Sequence, residues 1–318
     1  MDTSKKLVAD QKEWSVVAKE LEGENLKLAS YDNTLMSAIG DITDKTVLDY
    51  GAGPGVLALG LQKMGADVMR WIYSLQNPSV NLNFGYGVAR EAKRDLDVIW
   101  NLGNYVKLYS KHHKEEADDV TSLWIISRRE SVKEKVSEYL EKLQPQQAIQ
   151  EIKQFLIEDL SRTYGQLIRD ELEDKKVQAV LYNSFLDGLK LLAPFLPFIA
   201  EKIYQDLEGK KKSIFLEDWP EPNRKLIDNN LEIYMKTVKD IIQEVLAQRD
   251  KAKIGVRWPL PNILISSDDP KPLQQFKEII KKQTNVKQVT FKTGEKLIEL
   301  DTKITKELGD KIWVVGDD

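Results

Sequence analysis

Two stretches of this sequence carry residue types at spacings that could do chemistry. The first is Asp49 with Gly51, Gly53 and Gly55, in the string Thr46-Val47-Leu48-Asp49-Tyr50-Gly51-Ala52-Gly53-Pro54-Gly55. Thr46 to Tyr50 reads as a short buried strand and Val56 to Met64 as a helix. Strand, glycine-rich turn and helix N-terminus together form a β-α nucleotide-binding unit. Glycines let the backbone approach a ligand, and the helix end offers free N–H groups. The alternative is a remnant whose glycines merely permit a turn. The second stretch holds Lys253, Arg257 and Trp258. Basic residues beside an aromatic suit phosphate neutralisation and stacking on unpaired bases. Trp258 precedes Pro259, which forces extended backbone, so a ring seated at a domain junction is the competing reading.

Other chemistries are excluded by what the chain lacks. Cysteine is absent, which removes disulfides, thiolate zinc sites and a cysteine nucleophile. His112 and His113 are the only histidines, too few for a histidine triad or a histidine-rich metal site. They read as a solvated helix end. A formal charge of −4 gives no global pull toward nucleic acid or anionic membrane, though a local basic surface stays possible. No apolar run approaches the ~20 residues of a membrane span, and the N-terminus has no signal-peptide core. A cytoplasmic location is expected.

The elements that must hold these residues are mostly helices. Residues 1–44 are charged and read as helical. Beyond Asp67 amphipathic patterns follow one another: Gly85 to Lys111 through Val88, Ala92, Leu96, Ile99 and Val106, then Val120 to Leu143 through Leu123, Ile126, Val132, Val136 and Leu140. Gln146 to Leu172 places Ile149, Ile152, Leu156, Leu160, Tyr164 and Leu167 on one face. Val177 to Ala193 does so with Val177, Leu181, Phe185, Leu189 and Leu192. Pro194 and Pro197 then break the chain: a helix must stop near Ala193, and Pro197 can open the next one, where its missing N–H costs nothing. Phe195, Ile199, Ile203 and Leu207 give that next helix an apolar face. A loop from Gly209 to Arg224, including the solvated run Lys210-Lys211-Lys212, leads to a helix over Leu226 to Ala252. Trp71, Trp100 and Trp124 are expected in the core. The tail changes character, with strands at Asn262–Ser266 and Val286–Phe291 flanking a helix at Pro270–Lys282, and a further strand at Leu297–Leu300. The fold class is mainly α: an antiparallel helical bundle, with an N-terminal partial Rossmann-like β-α unit and a small C-terminal α/β appendage.

The helical part resembles the C-terminal, anticodon-binding region of isoleucyl-tRNA synthetase in its archaeal or eukaryotic form. The matching pieces keep their order over about 240 residues. They are Gly65-Ala66-Asp67-Val68-Met69-Arg70-Trp71, Asn81-Leu82-Asn83-Phe84, Ile99-Trp100-Asn101 and Leu123-Trp124-Ile125-Ile126-Ser127-Arg128. After these come Glu158-Asp159-Leu160-Ser161-Arg162-Thr163-Tyr164 with Arg169, the proline corner from Leu191 to Tyr204, and Glu217-Asp218-Trp219-Pro220. The last is Arg249-Asp250-Lys251-Ala252-Lys253-Ile254-Gly255-Val256-Arg257-Trp258-Pro259-Leu260. The resemblance implies a bundle that docks on the anticodon arm of an isoleucine-accepting tRNA. Arg249, Lys253, Arg257, Trp258, Arg162 and Arg169 are then the expected tRNA-binding residues. Asp159, Ser161, Arg162 and Tyr164 have inter-helix packing and hydrogen bonding as the competing role. The family's ATP-binding signatures, a His-Ile-Gly-His-like motif and a Lys-Met-Ser-Lys-Ser-like loop, are not in this sequence. Isoleucine activation by this chain alone is therefore not expected, ATP belongs to a catalytic domain elsewhere, and a separate catalytic polypeptide is a possible partner.

Lys45 to Gly55 resembles the first motif of class I S-adenosylmethionine-dependent methyltransferases, which implies that Asp49, Gly51, Gly53 and Gly55 hold that cofactor. The family's second strand ends in an acid, whereas Val68-Met69-Arg70-Trp71-Ile72 has none. A methyltransferase is thus the rival function; otherwise no cofactor is expected. The two resemblances meet near Lys63-Met64-Gly65-Ala66-Asp67-Val68, as a natural fusion, a gene rearrangement or a sequence-assembly join, and a non-functional chimera of two gene fragments is the third reading of function. The expected domains are 1–67 (partial methyltransferase-like segment), 68–258 (anticodon-binding bundle) and 259–318 (small α/β domain).

Overall fold

The computed structural model describes residues 65–77, 86–110, 115–207, 209, 211–295 and 297–302. The expected β-α unit, with Asp49, Gly51, Gly53 and Gly55, lies outside them, as do Asn81 to Phe84, His112, His113 and Lys210. The described chain is mostly helical with one small sheet. It divides into two compact units. The first takes the chain up to Leu108 with Lys135–Ile157 and Phe185–Pro220; the second takes Tyr109–Glu134, Glu158–Ser184 and the chain from Glu221 onward.

The first unit contains α1 (Ala66–Leu75), α2 (Tyr86–Tyr109) up to Leu108, the C-terminal part of α3 (Val120–Glu141) and α4 (Pro145–Lys153). The last runs into a π-helical segment, Gln154–Tyr164, where the wider turn is sustained over 11 residues. Past a short α5 (Gly165–Leu167), α6 (Lys175–Leu192) ends and α7 (Pro197–Asp206) begins at the two prolines. The break falls where proline chemistry puts it, with Pro197 at the first position of α7. The core gathers Met69, Trp71, Leu96, Ile99, Ile149, Ile152, Phe155, Leu156, Phe185, Leu189, Leu196, Ile199 and Ile203.

Two charged side chains of α1 secure the corner. Arg70 donates from Nε to the Phe195 carbonyl at 2.6 Å and from Nη2 to that of Pro194 at 2.9 Å. Asp67 Oδ2 accepts from the Ile199 N–H at 2.6 Å. It thereby caps α7 from another helix, a task Leu196 at the N-cap cannot perform. The stretch where the two resemblances meet is, from Gly65 on, an integral part of this unit.

The second unit surrounds α8 (Asn229–Lys251), capped by the Asp228 carboxylate on the Leu231 N–H. Against it packs a sheet of β1 (Leu260–Ser267), β2 (Val286–Thr293) and β3 (Leu297–Leu300), ordered β2-β1-β3. β1 and β2 are parallel, with Ile263 opposite Val289; β1 and β3 are antiparallel, with Ile265 opposite Ile298. A parallel pair needs a crossover, here a 3-10 turn (Pro272–Phe276) and α9 (Lys277–Thr284).

Several side chains depart from expectation. Leu123 is 44% exposed, with Trp124 and Ile125 buried beside it, while Ile126, Val132 and Val136 of the expected stripe are buried. Trp100 is only half-buried, as are Val88, Leu140 and Leu207. Lys211 is not simply solvated: its Nζ donates to the Leu216 carbonyl at 2.6 Å and its N–H to the Tyr204 hydroxyl at 2.9 Å.

Candidate nucleic-acid interface

α8 ends in a tightly specified turn. The Ile254 N–H reaches back to the Arg249 carbonyl at 2.9 Å and the Lys253 N–H to that of Asp250 at 2.9 Å. This paired closure is the Schellman arrangement, whose pivotal residue adopts the left-handed conformation and is usually glycine. Here the pivot is Lys253, at φ 57°. Gly255 two residues later has no such need. A lysine therefore carries backbone strain of about 1 kcal/mol that a glycine would not.

Beyond the turn, Val256, Arg257 and Trp258 stand exposed, the indole 43% so, before Pro259 and Leu260 return to the core. Lys251, Lys253 and Arg257 make no ion pair among the described residues. From Lys251 to Trp258 the chain carries three cations and no acid. The backbone beneath is held from inside. Arg249 is 1% exposed and donates from Nη2 to the carbonyls of Trp258 at 2.7 Å and Asn285 at 3.1 Å, and from Nε to that of Thr284 at 3.1 Å. Asn285, left-handed at φ 48° after α9, donates its side-chain amide to the Val256 carbonyl at 2.8 Å. Its own carbonyl accepts the Leu260 N–H at 3.1 Å.

Arg249, expected on the binding surface, thus faces the interior. Burial pushes the pKa of its guanidinium down, and carbonyls take up three of its bonds. Its place in a basic string made it look like a phosphate ligand, but the helical period turns it inward with Val245 while Lys253 and Arg257 lie beyond the helix end. Arg169 and Arg162 are exposed, and Arg162 pairs with Glu158 at 2.6 Å. The segment bearing Arg169 lies beside α9, since Lys282 Nζ meets Asp170 at 2.9 Å and the Leu167 carbonyl at 3.3 Å. Arg169, Lys282 and the Trp258 loop are therefore served by the same small helix. Asn285 was missed; an asparagine between a helix and a strand is the only signal the sequence offered for its left-handed role.

Asp159 and Tyr164 are interior. Asp159 accepts from Arg128 at 2.9 Å and Lys239 at 3.0 Å, and Lys239 lies 5.9 Å from the Trp124 ring centre. Tyr164 is buried against Ser122 at 3.2 Å, and burial pushes its phenol pKa up. Arg129 grips Glu115 through two bonds of 2.7 and 2.9 Å. Burial alone would raise the Glu115 carboxyl, but Arg129 and Asn183 hold it below its ordinary range.

No group of three or more potential metal-ligating side chains occurs among the described residues, nor any helix long and apolar enough to cross a membrane.

Residues 122–264 match the anticodon-binding domain of tRNA ligase. The chain is 32% identical over 261 residues to the isoleucine–tRNA ligase of Methanopyrus kandleri, covering 75% of this chain and 24% of that protein. It is 34% identical over 260 residues to that of Archaeoglobus fulgidus, covering 75% and 25%. It thus spans about a quarter of the length of the curated relatives it matches. A solved LeuRS–tRNA–LeuAMS complex from Agrobacterium radiobacter K84 aligns at TM-score 0.46 and 19% identity, over 59% of this chain and 24% of the other. Residues 122–264 thus match an anticodon-binding domain of tRNA ligase, within a chain similar over three quarters of its length to isoleucine–tRNA ligases.

Proposed function

We propose that this chain binds the anticodon arm of an isoleucine-accepting tRNA in the cytoplasm, through the loop after α8. Lys253 and Arg257 meet backbone phosphates and Trp258 stacks on an unpaired base, with Arg169 and Arg162 as outlying phosphate contacts. Arg249 supports the loop from within. One observation carries the reading: within a stretch matching anticodon-binding domains, a basic loop with an exposed indole is held by hydrogen bonds from Arg249 and Asn285. Fixing an aromatic before its ligand arrives lowers the ordering cost of binding. Aminoacyl transfer would require catalytic residues beyond these 318, on a partner polypeptide or elsewhere.

Fluorescence titration of the full chain with an isoleucine tRNA transcript and with unrelated tRNAs tests this. Tighter binding to the isoleucine tRNA, weakening with salt, is expected; equal affinity for all tRNAs, or no salt dependence, rejects it. For Asp49, Gly51, Gly53 and Gly55, the sequence string supports a separate S-adenosylmethionine site. Calorimetry decides that point: heat lost in Asp49→Ala supports the site, and no heat at roughly millimolar cofactor ends it.

A further inference from the structure

We infer that Asn285 is a positioning residue for nucleic-acid binding, acting through Trp258 without touching the ligand; this rests on the reading just given. Trp258 is anchored at its own carbonyl by Arg249. The opposite flank of its loop, Val256, is anchored only by the Asn285 amide among the described residues. Asn285 also ties its carbonyl to Arg249 Nη2 and to the Leu260 N–H. One residue thus joins the strand after the indole, the loop before it and the arginine beneath it. The left-handed conformation at φ 48° and ψ 53° turns its side chain back over the loop. Glycine would adopt that backbone more easily, yet would supply no amide. Without that bond the Val256 carbonyl has no partner to hold it, and the indole samples a wider range of orientations. The affinity loss would appear as ordering entropy, not as a lost contact.

Asn285→Gly separates positioning from folding, because it keeps the left-handed backbone and removes only the side-chain bond. The test is a thermodynamic cycle on the full chain: affinity of the isoleucine tRNA transcript for wild type, Asn285→Gly, Trp258→Ala and the double variant. Fluorine NMR of 5-fluorotryptophan-labelled protein, with the Trp258 line assigned by Trp258→Phe, is recorded alongside. We expect Asn285→Gly to bind about 3- to 10-fold more weakly with an unchanged unfolding midpoint and a shifted or broadened Trp258 line. The double variant should be no weaker than Trp258→Ala alone. Additive effects, or an unaltered affinity in Asn285→Gly, would overturn the positioning role while a weak Trp258→Ala still upheld the binding loop. If Trp258→Ala binds as wild type does, the loop reading itself fails, and this inference with it.

Discussion

At Lys253 two demands conflict at a single residue. The turn at the end of α8 wants glycine, and a phosphate-binding loop wants a cation. Lys253→Gly should raise stability by up to about 1 kcal/mol, since relief of left-handed strain outweighs the added freedom of the unfolded chain. It should also weaken binding of the isoleucine tRNA. Urea unfolding and titration check the two effects, and a variant both less stable and equally tight would show that charge is not why lysine stands there. Asp67 presents a second conflict. Burial pushes its carboxyl up to about 6, only partly countered by the N–H groups of Ile199 and Phe198 and the charge of Arg70. Its Oδ1 is buried with no hydrogen-bond partner among the described residues. Because the folded pKa exceeds the unfolded one, the native state binds the extra proton between pH 4 and 6. The stability this contributes is complete below about pH 4 and lost as pH rises through about 6, by up to about 3 kcal/mol. Subtracting the pH–stability curve of Asp67→Asn from that of wild type should isolate a decline of this sign over that window; a flat difference would refute it.

Among the elements, spacing is set by small residues as much as by large ones. A Cβ on Gly188 of α6 would lie 2.6 Å from Leu156 Cδ2 and 3.2 Å from Phe155 Cε1, and both side chains are fully buried. Gly188→Ala should therefore destabilise by about 1–3 kcal/mol through overpacking. Gly87, near the start of α2, has nothing among the described residues within 4 Å of such a Cβ. Gly87→Ala should stabilise by up to about 1 kcal/mol through helix propensity alone. Opposite signs in chemical denaturation are the expected result. The α3 face running from Ser127 to Lys133 teaches the same lesson for charge. Its buried Arg129, Glu130 and Lys133 are tolerable because Arg129 and Lys133 each meet Glu130 at 2.9 Å and the Asn223 N–H donates to Glu130 at 2.8 Å. Nothing in a helical hydrophobicity pattern announces such a face.

For the whole molecule, a net charge of −4 means that attraction to nucleic acid must be local. If Lys253, Arg257 and one further arginine neutralise phosphates of an unpaired loop, the logarithm of affinity should fall with the logarithm of salt at a slope of about −2. Arg257→Gln should make that slope shallower by about 0.7. A slope near zero in wild type would mean that the loop does not meet the phosphate backbone.

The order of helices, the proline corner and the strands of the tail were determined by the sequence itself, because periodicity and missing proline N–H groups act over neighbouring residues. The similarity to anticodon-binding regions was equally legible, being carried by ordered short strings. Tertiary structure decided the rest. That Arg249 turns inward, that Asn285 reaches the Val256 carbonyl, and that Asp67 caps a helix 132 residues away depend on backbone groups brought together from distant parts of the chain. A carbonyl leaves no mark in the sequence to say which side chain will find it. The local pattern could name the basic loop as a candidate surface, while only the fold could separate the residues that face outward from those that hold them in place.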